Sequence, residues 1–196
     1  MTAYPPLPLL VSFAAGTVGD WYIDRIMAVT GPGLAMAPRL HVTQAAADTA
    51  PAETGAQWQL SGFTSNLRYT ERAERTALDA HSAALARPDA RLAALIPIRK
   101  SPAWWALAQD ERRAIFAAQS QHIAIGMDYL PGVARRLHHC RDIGGAFDFL
   151  TWFEYAPADE GAFDEMLLRL RATPEWDFVD REVDVRLTRA AHSTAG

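Results

Sequence analysis

The chain has 196 residues, 49% of them hydrophobic and 21% charged, which suits one sizeable soluble domain or two small fused ones. Its formal charge is −4 and its nineteen Lys and Arg residues are scattered, so the dense basic footprint of a nucleic-acid binder is missing. The single cysteine, Cys140, rules out an internal disulfide and a cysteine-built zinc site, and no apolar run reaches the roughly 20 residues that cross a bilayer.

Residues 9–15 form the first apolar run. Prolines 5, 6 and 8 precede it and the first cation is Arg25, so it reads as a strand and not as a signal peptide. A cytoplasmic protein is expected. Residues 21–29 read as a second strand after a glycine-containing turn. Residues 30–56 are rich in Ala, Gly, Pro and Thr and read as loop, with 45–55 exposed. A strand is predicted over 58–69, with Gly62 as a bulge position. Thr70 and Glu71 then open a helix whose apolar face is Ala73, Ala77, Leu78, Ala84 and Leu85, ending near Pro88.

Residues 92–98 are continuously apolar, as a strand buried on both faces would be, although Pro97 predicts an edge or bulge position. Ser101-Pro102 is a strong helix start. A helical tract is predicted from there to about His139, interrupted at Pro131. Residues 147–155 make an aromatic-rich strand. Residues 157–172 make a helix with Phe163, Leu167 and Leu170 inward, stopped by Thr173-Pro174. In the last strand, 176–187, Val183, Val185 and Leu187 alternate with Glu182, Asp184 and Arg186, which predicts one solvated face. Such a chain is expected to be α+β, with helices covering one face of largely antiparallel sheets.

Several signatures of chemistry are absent: no Gly-x-Ser-x-Gly elbow, no phosphate-binding Gly-x-x-x-x-Gly-Lys and no Gly-x-Gly-x-x-Gly. His138, His139 and Cys140 are adjacent, and three consecutive helical residues cannot converge on one ion. His122 sits within an apolar segment, where an imidazole needs a partner for each buried nitrogen. A core histidine bonded to carbonyls and an axial haem ligand both satisfy that need. Arg135 and Arg136 follow thirteen and fourteen residues later. Locally they read as one solvated and one carboxylate-paired cation. Trp104 and Trp105 on one helix cover two faces, one of which can pack on core and the other on a flat ligand.

Six blocks, in order, resemble the chlorite dismutase family and its short-subunit branch. They are residues 62–69 (GFTSNLRY), 95–105 (LIPIRKSPAWW), 120–126 (SQHIAIG), 130–142 (LPGVARRLHHCRD), 147–154 (FDFLTWFE) and 175–182 (EWDFVDRE). The resemblance implies two ferredoxin-like halves with antiparallel sheets covered by helices. The first half (1–90) would be shortened and the second (91–190) would bind haem b. It implies His122 as the proximal iron ligand, Glu175 bonded to its other nitrogen, and Arg135 in the distal pocket. Lys100, Trp104, Asn66 and Tyr69 would hold the haem propionates or the hydrogen-bond frame near them, with Trp105 close by. The implied activity is conversion of chlorite to chloride and dioxygen by a homodimer, with Arg135 retaining a hypochlorite-level fragment. Coproheme decarboxylase shares the fold and generally lacks the distal arginine. A weak haem peroxidase and a haem-free binding module are the other readings.

Overall fold

A computed structural model describes residues 9–45, 55–64, 76 and 82–191 of the chain. Residues 92–98 are apolar without alternation because the strand they form, β5 (Leu92–Lys100), is buried on both faces. Ala93 and Leu95 point into one core with Phe13, Trp21, Leu150, Trp152, Val183, Val185 and Leu187. Ala94 and Ile96 point into another, with Ile125, Phe153, Tyr155, Phe163, Met166, Leu167 and Leu170. Each fully buried large side chain contributes roughly 1.5–3 kcal/mol, so both faces are strongly specified.

The first core is the inside of a closed barrel. Strands β1 (Leu10–Gly16), β2 (Trp21–Thr30), β3 (Arg39–Ala45) and β4 (Trp58–Thr64) come from the first half of the chain. Strands β6 (Ala134–His139), β7 (Phe149–Tyr155) and β8 (Val179–Arg189) join β5 from the second. Around the barrel the order is β1-β3-β2-β8-β5-β7-β6-β4, and every pairing is antiparallel. The expectation of two ferredoxin-like halves, each with its own sheet covered by helices, is therefore corrected. The strands of both halves hydrogen-bond edge to edge into one sheet that closes on itself, which leaves no free edges.

The second core lies outside the barrel, under α3 (His122–Met127) and α4 (Glu160–Arg171). Two shorter helices of the second half, α1 (Pro102–Ala106) and α2 (Gln109–Arg113), precede them. A π-helical stretch, Ala114–Gln119, follows α2. The helix start at Ser101 is as predicted, the serine side chain accepting from the Trp104 N–H.

Other expectations are corrected. The helical tract to His139 stops before Pro131, and 134–139 is strand β6, paired along its length with β7. Tertiary pairing overrides local helix preference there. His138 and His139 thus point to opposite faces, which separates them further than the predicted helix would, and the described residues hold no metal-binding cluster. The loop predicted over 30–56 contains β3, stabilised by its ladder to β1 from Leu10↔Ala45 to Gly16↔Arg39. Pro97 is not on an edge: it pairs with Leu150 of β7, while the β5–β8 ladder has no pair at Ile96 or Pro97. The polar face of β8 is not solvated. Glu182 and Asp184 are fully buried and Arg186 nearly so, under α4. Arg171 reaches Glu182 at 2.6 Å and Asp184 at 3.2 Å, and Arg186 bonds Asp184 and Asp164, so each buried charge has a partner. Most of the helix predicted after Thr70 lies outside the described residues.

Candidate active site

Residue parity along β6 decides which arginine faces which core. Arg136 is paired with Trp152 and His138 with Leu150, both barrel-interior residues, so these two point inward. Arg135, paired with Phe153, points outward, toward the helices. There its guanidinium lies against the α3 backbone at Gly126. A Cβ on that glycine would sit 2.9 Å from Arg135 Nη1, so Gly126 makes room for the cation. Arg135 makes no ion pair or side-chain hydrogen bond among the described residues. Burial lowers its pKa, yet part of its surface remains reachable by solvent.

His122 begins α3 one helical turn before Gly126, so the two share a face. Gln121 takes a left-handed conformation (φ 49°) that ends the π-helical stretch and aims the new helix. The His122 ring stacks on Phe116, with centroids 4.5 Å apart, and lies nearly parallel to Trp176 at 6.3 Å. Its Nδ1 is 2.7 Å from Glu175 Oε2. Glu175 is held in turn: its backbone N–H donates to Ser120 Oγ at 2.9 Å, and its Oε1 accepts from Lys100 Nζ at 2.8 Å. Lys100 also donates to the Glu175 carbonyl at 3.2 Å.

This chain of three side chains fixes a tautomer. Burial pushes the Glu175 carboxyl upward, but His122 and Lys100 more than reverse that and hold it at about 2. Glu175 is therefore an acceptor only, so the hydrogen bond comes from Nδ1–H, and in a neutral ring Nε2 is the nitrogen that carries the lone pair. Desolvation lowers the Lys100 pKa, and the Glu175 carboxylate opposes that shift.

The remaining predicted residues divide. Lys100 faces Glu175, behind the histidine. Trp104, 2% exposed, packs beside Lys100 and Phe178, and its indole Nε1 has no hydrogen-bond partner among the described residues. Trp105 belongs to a neighbouring cluster: its Nε1 donates to Asp148 Oδ2 at 3.2 Å and Arg141 lies 3.8 Å over its ring. Asp148 joins the two groups, because it also accepts the Lys100 backbone N–H at 2.7 Å. Asn66 and Tyr69 lie outside the described residues. Gly126, Ser120, Phe116, Trp176 and Asp148 join the site without having been expected there. Only Gly126 and Ser120 carried a signal, as small residues on either side of His122.

The family model for chlorite dismutase matches residues 37–190. The chlorite dismutase of Ideonella dechloratans is 30% identical over 118 residues, covering 59% of this chain and 39% of that protein, so the chain spans about two fifths of that relative's length. A dimeric chlorite dismutase from Nitrobacter winogradskyi superposes with a TM-score of 0.85 and 51% identity, covering 92% of this chain and 99% of that one. A chlorite dismutase variant from Candidatus Nitrospira defluvii has the same fold at a TM-score of 0.62 and 16% identity, covering 93% and 91%. A match over most of the chain, together with these likenesses, places it in the chlorite dismutase family.

Proposed function

We propose that the protein is a haem b enzyme that converts chlorite to chloride and dioxygen, with His122 as the residue that would ligate the iron and Arg135 as the cation that holds the anion. The observation that carries this reading is the His122–Glu175 contact of 2.7 Å, which leaves Nε2 as the ring nitrogen able to ligate. The residues present fit a haem. A buried indole N–H without a partner, as at Trp104, costs about 1–3 kcal/mol, and a propionate oxygen would satisfy it. Family membership supports the same cofactor.

Bound haem would supply the iron that exchanges electrons and an oxygen atom with chlorite. Glu175 accepts the Nδ1 proton's hydrogen bond and makes the imidazole a stronger donor. Lys100 balances the Glu175 charge, so the carboxylate stays ionised in a buried place. Arg135 offers a planar cation with several donors and no competing carboxylate among the described residues, which suits an oxyanion. The guanidinium would hold the chlorite anion at the site and keep a hypochlorite-level fragment from escaping. An unpaired Arg135 favours this reading over coproheme decarboxylase. A homodimer is the assembly we infer, since the Nitrobacter neighbour is dimeric.

The test is oxygen release from chlorite by haem-loaded protein. One dioxygen and one chloride per chlorite supports the assignment. A Soret band without oxygen release removes the activity and keeps the haem, and absence of a Soret band removes both.

A further inference from the structure

The outermost support of the His122 site comes from the barrel wall. Glu182 lies on β8, paired with Thr30 of β2 on one side and with Ile98 of β5 on the other, and it is fully buried. Two neighbouring strands fix its backbone, so its carboxylate is a rigid anchor. Oε1 accepts from Arg171 Nε at 2.9 Å and from Arg171 Nη2 at 2.6 Å, which keeps the buried charge paired. Oε2 accepts from the Trp176 indole Nε1 at 2.8 Å. A hydrogen bond to an ionised acceptor is about twice as strong as a neutral one.

Trp176 is where that anchor reaches the site. Its ring lies 17° from parallel to the His122 ring, with centroids 6.3 Å apart, and Lys100 Nζ is 5.3 Å from its centroid. Trp176 also follows Glu175 directly on the 3-10 turn Pro174–Phe178. One turn therefore carries both the carboxylate that bonds the imidazole edge and the indole that lies nearly parallel to the imidazole plane. The Glu175 bond by itself leaves that plane free to rock, because a hydrogen bond tolerates about 30° of misalignment. Flat neighbours limit the rocking. Phe116 and Trp176 are the two, and only the indole has an N–H by which the rest of the fold can set its tilt.

We infer that Glu182 is a positioning residue for the His122 imidazole: by holding the Trp176 N–H it fixes the plane of the histidine ring and the turn that carries Glu175. The consequence at iron rests on the reading of His122 as the axial ligand, whereas the packing of the ring does not.

Two substitutions cut the same bond from opposite ends. Glu182→Met removes the acceptor and leaves Arg171 with Asp184 as its carboxylate partner. Trp176→Phe keeps a flat ring and leaves the Arg171–Glu182 pair intact. Glu182→Gln keeps an acceptor without the charge. In haem-free protein, hydrogen exchange follows the Trp176 indole N–H, assigned by its loss in Trp176→Phe, and NMR of carbon-13 histidine follows the His122 ring. Glu182→Met should quicken indole exchange roughly ten- to hundredfold, the worth of a hydrogen bond to a charged group. It should also move the His122 ring signals. Glu182→Gln should exchange within roughly tenfold of the parent and leave those signals in place. In haem-loaded protein, the EPR spectrum of the ferric cyanide form depends on the plane of an axial imidazole. It should change in Glu182→Met and Trp176→Phe and match the parent in Glu182→Gln. A lower melting temperature in Glu182→Met with His122 signals and EPR spectrum unchanged overturns the inference and leaves Glu182 as a partner of Arg171 alone. Glu182→Gln moving the His122 signals as far as Glu182→Met overturns it too. So does a Trp176 N–H that exchanges in the parent as fast as in free tryptophan, which needs no variant. Where Glu182→Met does not fold, a parent-like EPR spectrum in Trp176→Phe has the same force. Absence of a Soret band removes the haem reading alone, since the haem-free measurements still decide what holds the ring.

Discussion

Lys100→Met isolates what the buried cation does for Glu175. Methionine keeps most of the apolar stem and removes the ammonium, so the Glu175 carboxylate would stay buried with His122 as its one strong partner. Breaking a buried ion pair from one side costs about 3–5 kcal/mol. Against burial, which raises it, the Glu175 pKa falls from 4.5 to about 2 in the folded protein, lowered first by His122 and then by Lys100. At about 1.4 kcal/mol per pH unit, that shift is worth about 3 kcal/mol of stability, of which Lys100 supplies only part. The sign follows from the folded value being the lower one. This stability is complete above the unfolded pKa of 4.5 and is lost as pH falls through about 2. For a chain of this length, 3–5 kcal/mol corresponds to a melting temperature lower by about 6–20 °C. Haem-free protein should be melted at pH 7, with the Glu175 carboxyl titrated by carbon-13 NMR in parent and variant. The double variant Lys100→Met/Glu175→Gln should recover part of the loss, because the stranded charge is gone. A melting point within about 2 °C of the parent, with the Glu175 titration still near 2, would refute the coupling.

Other outcomes follow from the same site. His122→Ala should fold and fail to give a Soret band on haem addition; an unchanged ferric spectrum removes the ligand assignment. Arg135→Ala should react with chlorite initially, inactivate after fewer turnovers and release more trappable hypochlorite, with Arg135→Lys between it and the parent; equal trapping in all three sinks the retention role. His138 has its pKa pushed from 6.5 to about 4, so the neutral ring stabilises the fold fully above about 6.5 and loses that contribution as pH falls through 4. His138→Gln should therefore flatten the fall in melting temperature between pH 7 and 4, and an identical slope would place His138 outside that linkage.

His122, Arg135 and Glu175 could be singled out as candidates because they travel in contiguous blocks: His122 within 120–126, Arg135 within 130–142 and Glu175 heading 175–182. Their partners could not. Lys100 was expected at the propionates or in the hydrogen-bond frame near them, and no local signal announced that it meets Glu175 at 2.8 Å across 75 residues of sequence. Periodicity read β5 and β7 correctly, because an unbroken apolar run of strand length has few alternatives. It misread β6, where Ala134–His139 alternates too weakly to announce a strand and only pairing with β7 makes it one. It misread β8 for the opposite reason: the alternation is clear, but a charged face was taken for a wet one. Glu182, Asp184 and Arg186 beneath α4 instead pair with one another and with Arg171 and Asp164 of that helix. Barrel closure leaves no local trace at all, since it depends on β2 meeting β8 and β4 meeting β6.

β2 and β8 share a ladder from Trp21↔Arg189 to Thr30↔Glu182, so an early strand of the chain is sewn to its last one. Among the described residues β4 and β6 meet at Phe63↔His139 and Thr64↔His138. Beside that seam Gly62 sits so close that a Cβ would come within 2.9 Å of the His138 Cβ. Gly62→Val should therefore push β6 outward and speed amide exchange along it while leaving the β2–β8 ladder protected. Because β6 carries Arg135 on one face and Arg136 on the other, one displaced strand would disturb the His122 side and the barrel interior together.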